Sequence, residues 1–165
     1  MNEPDPADWP LFVCLILTDA RGRYVLERRP STARAAPGKL TCFGGSREPG
    51  ERPEAALDRE LREELCLSCA AAGADCSRVV LVLFRQATPR ISLHPPHPPI
   101  PPQPPTPIAW FYRGHLPTGV EPVCRIPGHE VVFIDPDQLL DAELAPWHRA
   151  ALTAFRNGQA VANVP

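Results

Sequence analysis

Strand-length runs of apolar residues alternate with polar turns along this chain. Residues 11–17 are continuously apolar, which predicts a buried central strand. A turn at 19–23 separates this run from residues 24–28, which predict the returning strand of a hairpin. Similar runs predict further strands at 39–43, 78–85, 108–114 and 130–135.

Two segments have helical spacing instead. Pro53 suits the first position of a helix, and Leu57, Leu61 and Leu65 then recur every four residues, which predicts a row that packs on a core. A second helix opens at Pro146 and repeats its apolar positions at Trp147, Ala151, Ala154 and Phe155. A short helical turn is expected at 137–140. The order of elements predicts an α/β layered domain with a mixed sheet.

Three carboxylates share one face of the first predicted helix. Glu60, Glu63 and Glu64 are i, i+3 and i+4 neighbours, so they repel one another unless a positive charge lies among them. A hard divalent cation such as Mg²⁺ or Mn²⁺ takes oxygen ligands and would neutralise them. The alternative is an ordinary solvated face, offset by local pairs with Arg59 and Arg62.

A glycine-rich loop precedes this acidic helix and favours a metal site over a solvated face. Gly44 and Gly45 allow the backbone to approach a ligand closely, and Gly50 suits the turn into the helix. A loop followed by a helix beside clustered carboxylates is suited to a metal–diphosphate complex.

Residues 45–67 resemble the Nudix box, Gly-x5-Glu-x7-Arg-Glu-Uaa-x-Glu-Glu-x-Gly-Uaa, in which Uaa is a bulky aliphatic residue. Every charged position is filled at the right spacing, by Glu51, Arg59, Glu60, Glu63 and Glu64. Two positions depart from the family. Cys66 replaces the glycine, which puts the helix ending in question because a left-handed residue other than glycine costs roughly 1–2 kcal/mol. Phe43 stands where many members have proline.

The resemblance implies a Nudix-type α/β/α sandwich and hydrolysis of a diphosphate bond in a nucleoside diphosphate-linked or nucleoside triphosphate substrate. It also implies that Mg²⁺, or Mn²⁺, is held by Glu60, Glu63, Glu64, the Gly44 carbonyl and Glu130. An isolated glutamate at a strand start is by default a surface residue, so Glu130 stays open. A homodimer is compatible with the resemblance.

The resemblance assigns further roles. Glu60 or Glu64 would take a proton from the attacking water. Arg59 would orient the carboxylates by bidentate pairing, and Glu51 would brace the loop. The substrate contacts would come from Gly44 and Gly45, with Arg28, Arg29 and Arg34 as candidate phosphate contacts.

Composition narrows the function classes. The chain has 165 residues, enough for one domain, and a net charge of −2, which provides no general basic field for nucleic acid. No apolar run is long enough to cross a bilayer, and the N-terminus has no secretion signal, so we expect a cytoplasmic protein. We expect one domain over residues 1–165.

Proline is the compositional anomaly, with 23 residues, many of them in a loop insertion expected at 89–107. We expect this insertion to be polyproline-like because proline sustains neither a helix nor a sheet ladder. It could instead be a substrate lid, or it could dock onto a proline-binding partner, which would make the chain an interaction protein. A catalytically idle nucleotide sensor is the other alternative to an enzyme.

Six cysteines do not suggest a disulfide framework in a chain of this length without a signal segment. Cys66, Cys69 and Cys76 lie close enough in sequence to raise a zinc site, but a fourth ligand at suitable spacing is missing. We expect reduced, mostly buried thiols. The aromatic residues of 110–112 are expected in the core, with base stacking as the alternative.

Overall fold

The computed structural model describes residues 9–84 and 105–165, and these form eight strands and two helices. In chain order the elements are β1 (Phe12–Thr18), β2 (Tyr24–Arg28), β3 (Leu40–Thr41), β4 (Phe43–Ser46), α1 (Pro53–Leu65), β5 (Asp75–Phe84), β6 (Thr106–His115), β7 (Glu130–Ile134), α2 (Pro146–Arg156) and β8 (Val161–Val164). Neither described helix has the length and apolar content to span a membrane.

The sheet is mixed and contains a fork between its first two strands. β1 and β2 pair only near their shared turn, where Leu17 lies opposite Val25. Beyond that point the two strands part, and the segment 40–46 takes partners from both: β3 pairs with β2, and β4 pairs with β1. The other edge of β2 pairs with β7. On the other side of the sheet, β1 pairs in parallel with β6, β6 pairs antiparallel with β5, and β5 pairs in parallel with β8.

Each face of the sheet carries one helix and its own hydrophobic core. Along β1, Val13, Leu15 and Leu17 face α1, whereas Cys14 and Ile16 face α2, as the two-residue period of a strand requires. The predicted leucine row of α1 is buried in the first core. From α2, Ala151 and Ala154 are buried in the second, and Trp147 and Phe155 pack half-buried against it. The expected α/β/α sandwich is therefore confirmed, as is the burial of aromatic residues 110–112.

The strand predicted at 39–43 is wrong in one respect, because it is two strands interrupted at Cys42. At this residue the chain changes its neighbour from β2 to β1. Apolar periodicity cannot detect such a change, since the residues on either side keep strand geometry.

Other boundaries also differ from the prediction. β5 begins at Asp75, three residues before the strand predicted at 78–85, and β8 follows α2, where no strand was predicted. Residues 137–140 form the expected short turn, with hydrogen bonds such as Gln138 N–H to the Asp135 carbonyl, and it does not extend into a helix. These short segments gain their order from neighbouring elements, as β8 does from its parallel pairing with β5.

The proline-rich segment lies outside the described residues up to position 104. The insertion expected at 89–107 ends earlier than predicted, because Pro107 is part of β6 and lies opposite Leu83 of β5. β6 acquires β1 as its second neighbour only from Ala109 onwards, so the proline occurs at a strand start, where it is tolerated.

The cysteines only partly match the prediction. In the described part of the chain Cys14 and Cys42 are buried, but Cys66 is exposed and Cys69 and Cys124 are half-buried; these five are free thiols. Cys66 ends α1 in the left-handed conformation, with φ 53° and ψ 28°, and its N–H bonds to the Arg62 carbonyl. The helix therefore keeps the ending that glycine would favour, at the steric cost of a Cβ atom.

Replacing this residue should release the strain. We expect Cys66→Gly to raise the free energy of unfolding by about 1 kcal/mol, because glycine adopts the left-handed conformation without a Cβ clash. Cys66→Ala is the matched control, since it removes the thiol and keeps the Cβ. Urea denaturation measures both; equal midpoints for the two variants would show that Cys66 is not strained.

Candidate active site

Gly44 and Gly45 bring the backbone of β4 against two carboxylates of α1. The Gly44 N–H donates to Glu64 Oε2 at 2.8 Å. Gly44 has φ 125°, and a Cβ there would lie 2.2 Å from the Val13 carbonyl oxygen. A Cβ on Gly45 would lie 2.6 Å from the carboxyl carbon of Glu60. Both positions therefore depend on glycine, because a side chain would meet the Val13 backbone at position 44 and the Glu60 carboxylate at position 45.

Arg59 joins the loop before α1 to the carboxylates. Its Nε and Nη2 donate to the two oxygens of Glu51, each at 3.0 Å, which is bidentate pairing. Nη1 donates to Glu60 Oε1 at 2.8 Å, and Nη2 also donates to the Ser46 carbonyl at 2.9 Å. The hydrogen bonds from Arg59 are the largest cause that lowers the pKa of Glu51. One guanidinium therefore links Glu51 to Glu60.

The third predicted acid is placed differently. The Glu63 side chain is 62% exposed, and its carboxylate lies 3.7 Å from Arg59 Nη1. Within residues 9–84 and 105–165, no three His, Cys, Asp or Glu side chains converge in a geometry ready to hold a metal ion. Glu60 and Glu64 thus meet the glycines, while Glu63 lies at the edge of this group.

Glu64 is the most perturbed acid of the group. Burial is the main cause that raises its pKa to about 8; the charges of Glu27 and Glu60 add to the rise, while the Gly44 N–H and Arg29 oppose it. A folded-state pKa above the unfolded value of 4.5 means that the native state retains a proton which the unfolded chain has lost. The proton on Glu64 therefore makes its full contribution to the free energy of unfolding below about pH 4.5, and this contribution is lost as the pH rises toward 8.

A buried glutamate that sequence reasoning missed lies on the same face. Glu27 is 2% exposed; its Oε2 accepts from the Thr41 hydroxyl at 2.9 Å and its Oε1 lies 2.5 Å from His129 Nδ1. Arg29 Nη1 lies 3.4 Å from the same Oε2 of Glu27. The signal was present in the strand pattern, because the two-residue period places Glu27 on the same face as buried Val25.

The three arginines predicted to contact phosphate lie at different places in the structure. Arg29 is near the acids, whereas Arg28 points to the other side of β2 and lines a hollow of about 470 Å³ with Leu40 and Gln138. Arg34 is exposed in the loop before β3. Glu130 is exposed at the start of β7, opposite Arg28, while the preceding residue, His129, contacts Glu27.

The domain matches one family model. The model for the NUDIX domain matches residues 9–155, most of the chain. The chain belongs to the NUDIX domain family. The charged positions of the Nudix box are thus set in the family's own fold, with Cys66 as the departure at the end of α1.

Two solved structures share this fold, and one relative matches part of the sequence. The MutT protein of Methanosarcina mazei Go1 superposes with a TM-score of 0.65 at 18% identity, over 88% of this chain and 91% of that one. The dihydroneopterin triphosphate pyrophosphohydrolase of E. coli gives 0.59 at 19% identity, over 90% and 95%. Nucleoside triphosphatase NudI of Enterobacter sp. (strain 638) is 45% identical over 54 residues, 33% of this chain. That match spans 38% of the length of NudI.

The residues of this Nudix domain fit a divalent cation. Glu60 and Glu64 supply hard oxygen donors, and Glu27 adds a third negative charge whose field reaches Glu64. Burial is the main cause that raises the pKa of Glu64, and repulsion by Glu27 and Glu60 adds to the rise; a cation held by Glu60 and Glu64 would oppose it. Glu63 would have to turn from Arg59 to join them.

The two glycines should respond differently to alanine. Gly45→Ala meets only the movable end of Glu60, so we expect a near-native melting temperature with a displaced carboxylate and at least tenfold lower hydrolytic activity. Gly44→Ala meets the Val13 backbone at a positive φ, so we expect a loss of about 3 kcal/mol or more of unfolding free energy. Thermal denaturation and activity assays compare the pair; equal destabilisation of both variants would contradict this geometry.

Proposed function

We propose that this chain is a metal-dependent hydrolase that cleaves a diphosphate bond in a nucleoside triphosphate or a nucleoside diphosphate-linked substrate. The observation that carries the proposal is the pair Glu60 and Glu64, held against Gly45 and Gly44, with Glu60 linked through Arg59 to Glu51. Membership of the NUDIX family supports the same reaction class.

The proposed metal ligands are Glu60, Glu63, Glu64 and the carbonyl of Gly44. Glu130, which lies opposite Arg28 on the other side of β2, would have to turn toward these groups to join them. Mg²⁺, or Mn²⁺, when bound, would polarise phosphoryl oxygens and lower the pKa of a coordinated water. Arg59 keeps Glu60 oriented through its hydrogen bond, while Glu51 holds Arg59. Arg29, near Glu64, offers positive charge to the phosphates.

The proposed proton acceptor is Glu60 or Glu64. Glu64 carries a proton over most of the neutral range because burial raises its pKa, so it accepts a proton only after its carboxylate has been stabilised by positive charge. Glu60 already receives that stabilisation from Arg59. We therefore propose Glu60 as the acceptor and Glu64 as the acid whose charge state follows metal binding.

A triphosphate is the first substrate class to test. The relative that shares 45% identity over 54 residues is called a nucleoside triphosphatase. We extend the class to this chain as a proposal, and we propose that residues 1–165 form a single catalytic domain with an insertion that begins at 89 and ends before β6.

The proposal predicts turnover that depends on a divalent ion. We expect pyrophosphate or phosphate release from at least one nucleotide of a broad panel in Mg²⁺, and loss of at least a hundredfold in Glu63→Gln combined with Glu64→Gln, because two carboxylate ligands become neutral. Glu48→Gln, at an exposed acid before the helix, is the control and should retain activity. Product analysis by chromatography measures all three proteins.

Two outcomes would contradict the proposal. Full turnover by the double variant would remove these acids from the reaction. Binding of nucleotides by the wild-type protein, without turnover of any of them in Mg²⁺ or Mn²⁺, would make the chain an idle nucleotide binder instead.

A further inference from the structure

The chain changes its strand partner at Cys42. Leu40 and Thr41 pair with β2, Phe43 pairs with β1, and Cys42 between them belongs to neither ladder. Cys42 is only 2% exposed, so its N–H cannot turn to bulk water. A buried N–H without an acceptor is costly because it loses its hydrogen bond to water, and the change of partner therefore needs an acceptor from outside the sheet.

That acceptor comes from α2. The Cys42 N–H donates to Nδ1 of His148 at 3.1 Å. The imidazole is 4% exposed and is enclosed by rings, with the Trp147 centroid at 3.9 Å and the Phe111 ring edge-on at 5.7 Å. Burial is the main cause that lowers the pKa of His148 to about 3, with a further contribution from the charge of Arg29, so the ring stays neutral and Nδ1 remains an acceptor at physiological pH.

A second set of contacts holds the same segment two residues further along the chain. The Gly44 N–H donates to Glu64 of α1, and Gly45 lies against Glu60. The segment 42–45 is therefore fixed from both helical layers, by His148 on one face and by the acids on the other. Only one residue, Phe43, separates the two anchored amides, and its side chain is fully buried.

We infer that His148 is a positioning residue for the active site: by accepting from the Cys42 amide it sets where Gly44 and Gly45 meet Glu64 and Glu60. The effect on catalytic rate rests on the proposed function, whereas the effect on the two glycine amides does not. His148 touches no reacting atom in this arrangement and acts only through the backbone.

Three variants separate positioning from general stability. His148→Leu fills the site but removes the acceptor, and His148→Asn restores an acceptor because its amide oxygen takes about the place of Nδ1. Leu152→Ala is the control, because Leu152 is fully buried in the same helix and only its packing is reduced. Each protein is assayed at a temperature at which it is fully folded.

We expect His148→Leu to lower kcat at least tenfold with KM within about threefold, and His148→Asn to stay within about threefold of wild type. Leu152→Ala should lower Tm and leave kcat near the wild-type value. If Leu152→Ala lowers kcat as much as His148→Leu does at a similar loss of Tm, His148 has only a structural role and the inference is wrong.

A readout without catalysis keeps the inference independent of the substrate. In amide NMR spectra, His148→Leu should move the Gly44 and Gly45 signals, and Leu152→Ala should leave them in place. In the wild-type protein a scalar coupling is expected between the Cys42 amide nitrogen and His148 Nδ1; its absence would overturn the inference even if His148→Leu does not fold. A wild-type protein without any turnover would contradict the proposed function alone, and the amide signals would still decide the role of His148.

Discussion

The carboxyl group of Glu64 is buried between α1 and the backbone of Gly44, and the neighbouring structure is arranged around that contact. A buried carboxyl is costly in its charged form, so it needs a donor, a proton or a cation. The Gly44 N–H supplies a donor at 2.8 Å. That contact requires a backbone that only glycine can supply, because a Cβ would meet the Val13 carbonyl oxygen.

The sheet provides that backbone through its fork. Where β1 and β2 part, the segment 40–46 enters between them and changes partner at Cys42, which carries the two glycines to the acidic face of α1. Arg59 then holds Glu60 beside Gly45 and ties the helix to Glu51. The result is a pair of acids at a defined place, with Glu63 exposed nearby.

Much of this could be predicted from the sequence, and the rest fails for identifiable reasons. The Nudix box and the leucine row locate the helix and its acids because both depend on spacing within one element. The contact between Glu27 and His129 joins residues about one hundred positions apart, and local periodicity cannot pair them. The partner change at Cys42 and the role of His148 depend on how three strands and α2 meet. Strand β8 is likewise ordered by its pairing with β5.

The charge state of Glu64 is the central claim, and it can be measured directly. With ¹³C-labelled glutamate, the carboxyl carbon of Glu64, assigned through Glu64→Gln, can be followed by NMR from pH 4 to 9. The account predicts a midpoint near 8, moving to lower pH when Mg²⁺ is added, because a cation favours the charged form. A midpoint near 4.5 that Mg²⁺ does not change would contradict it.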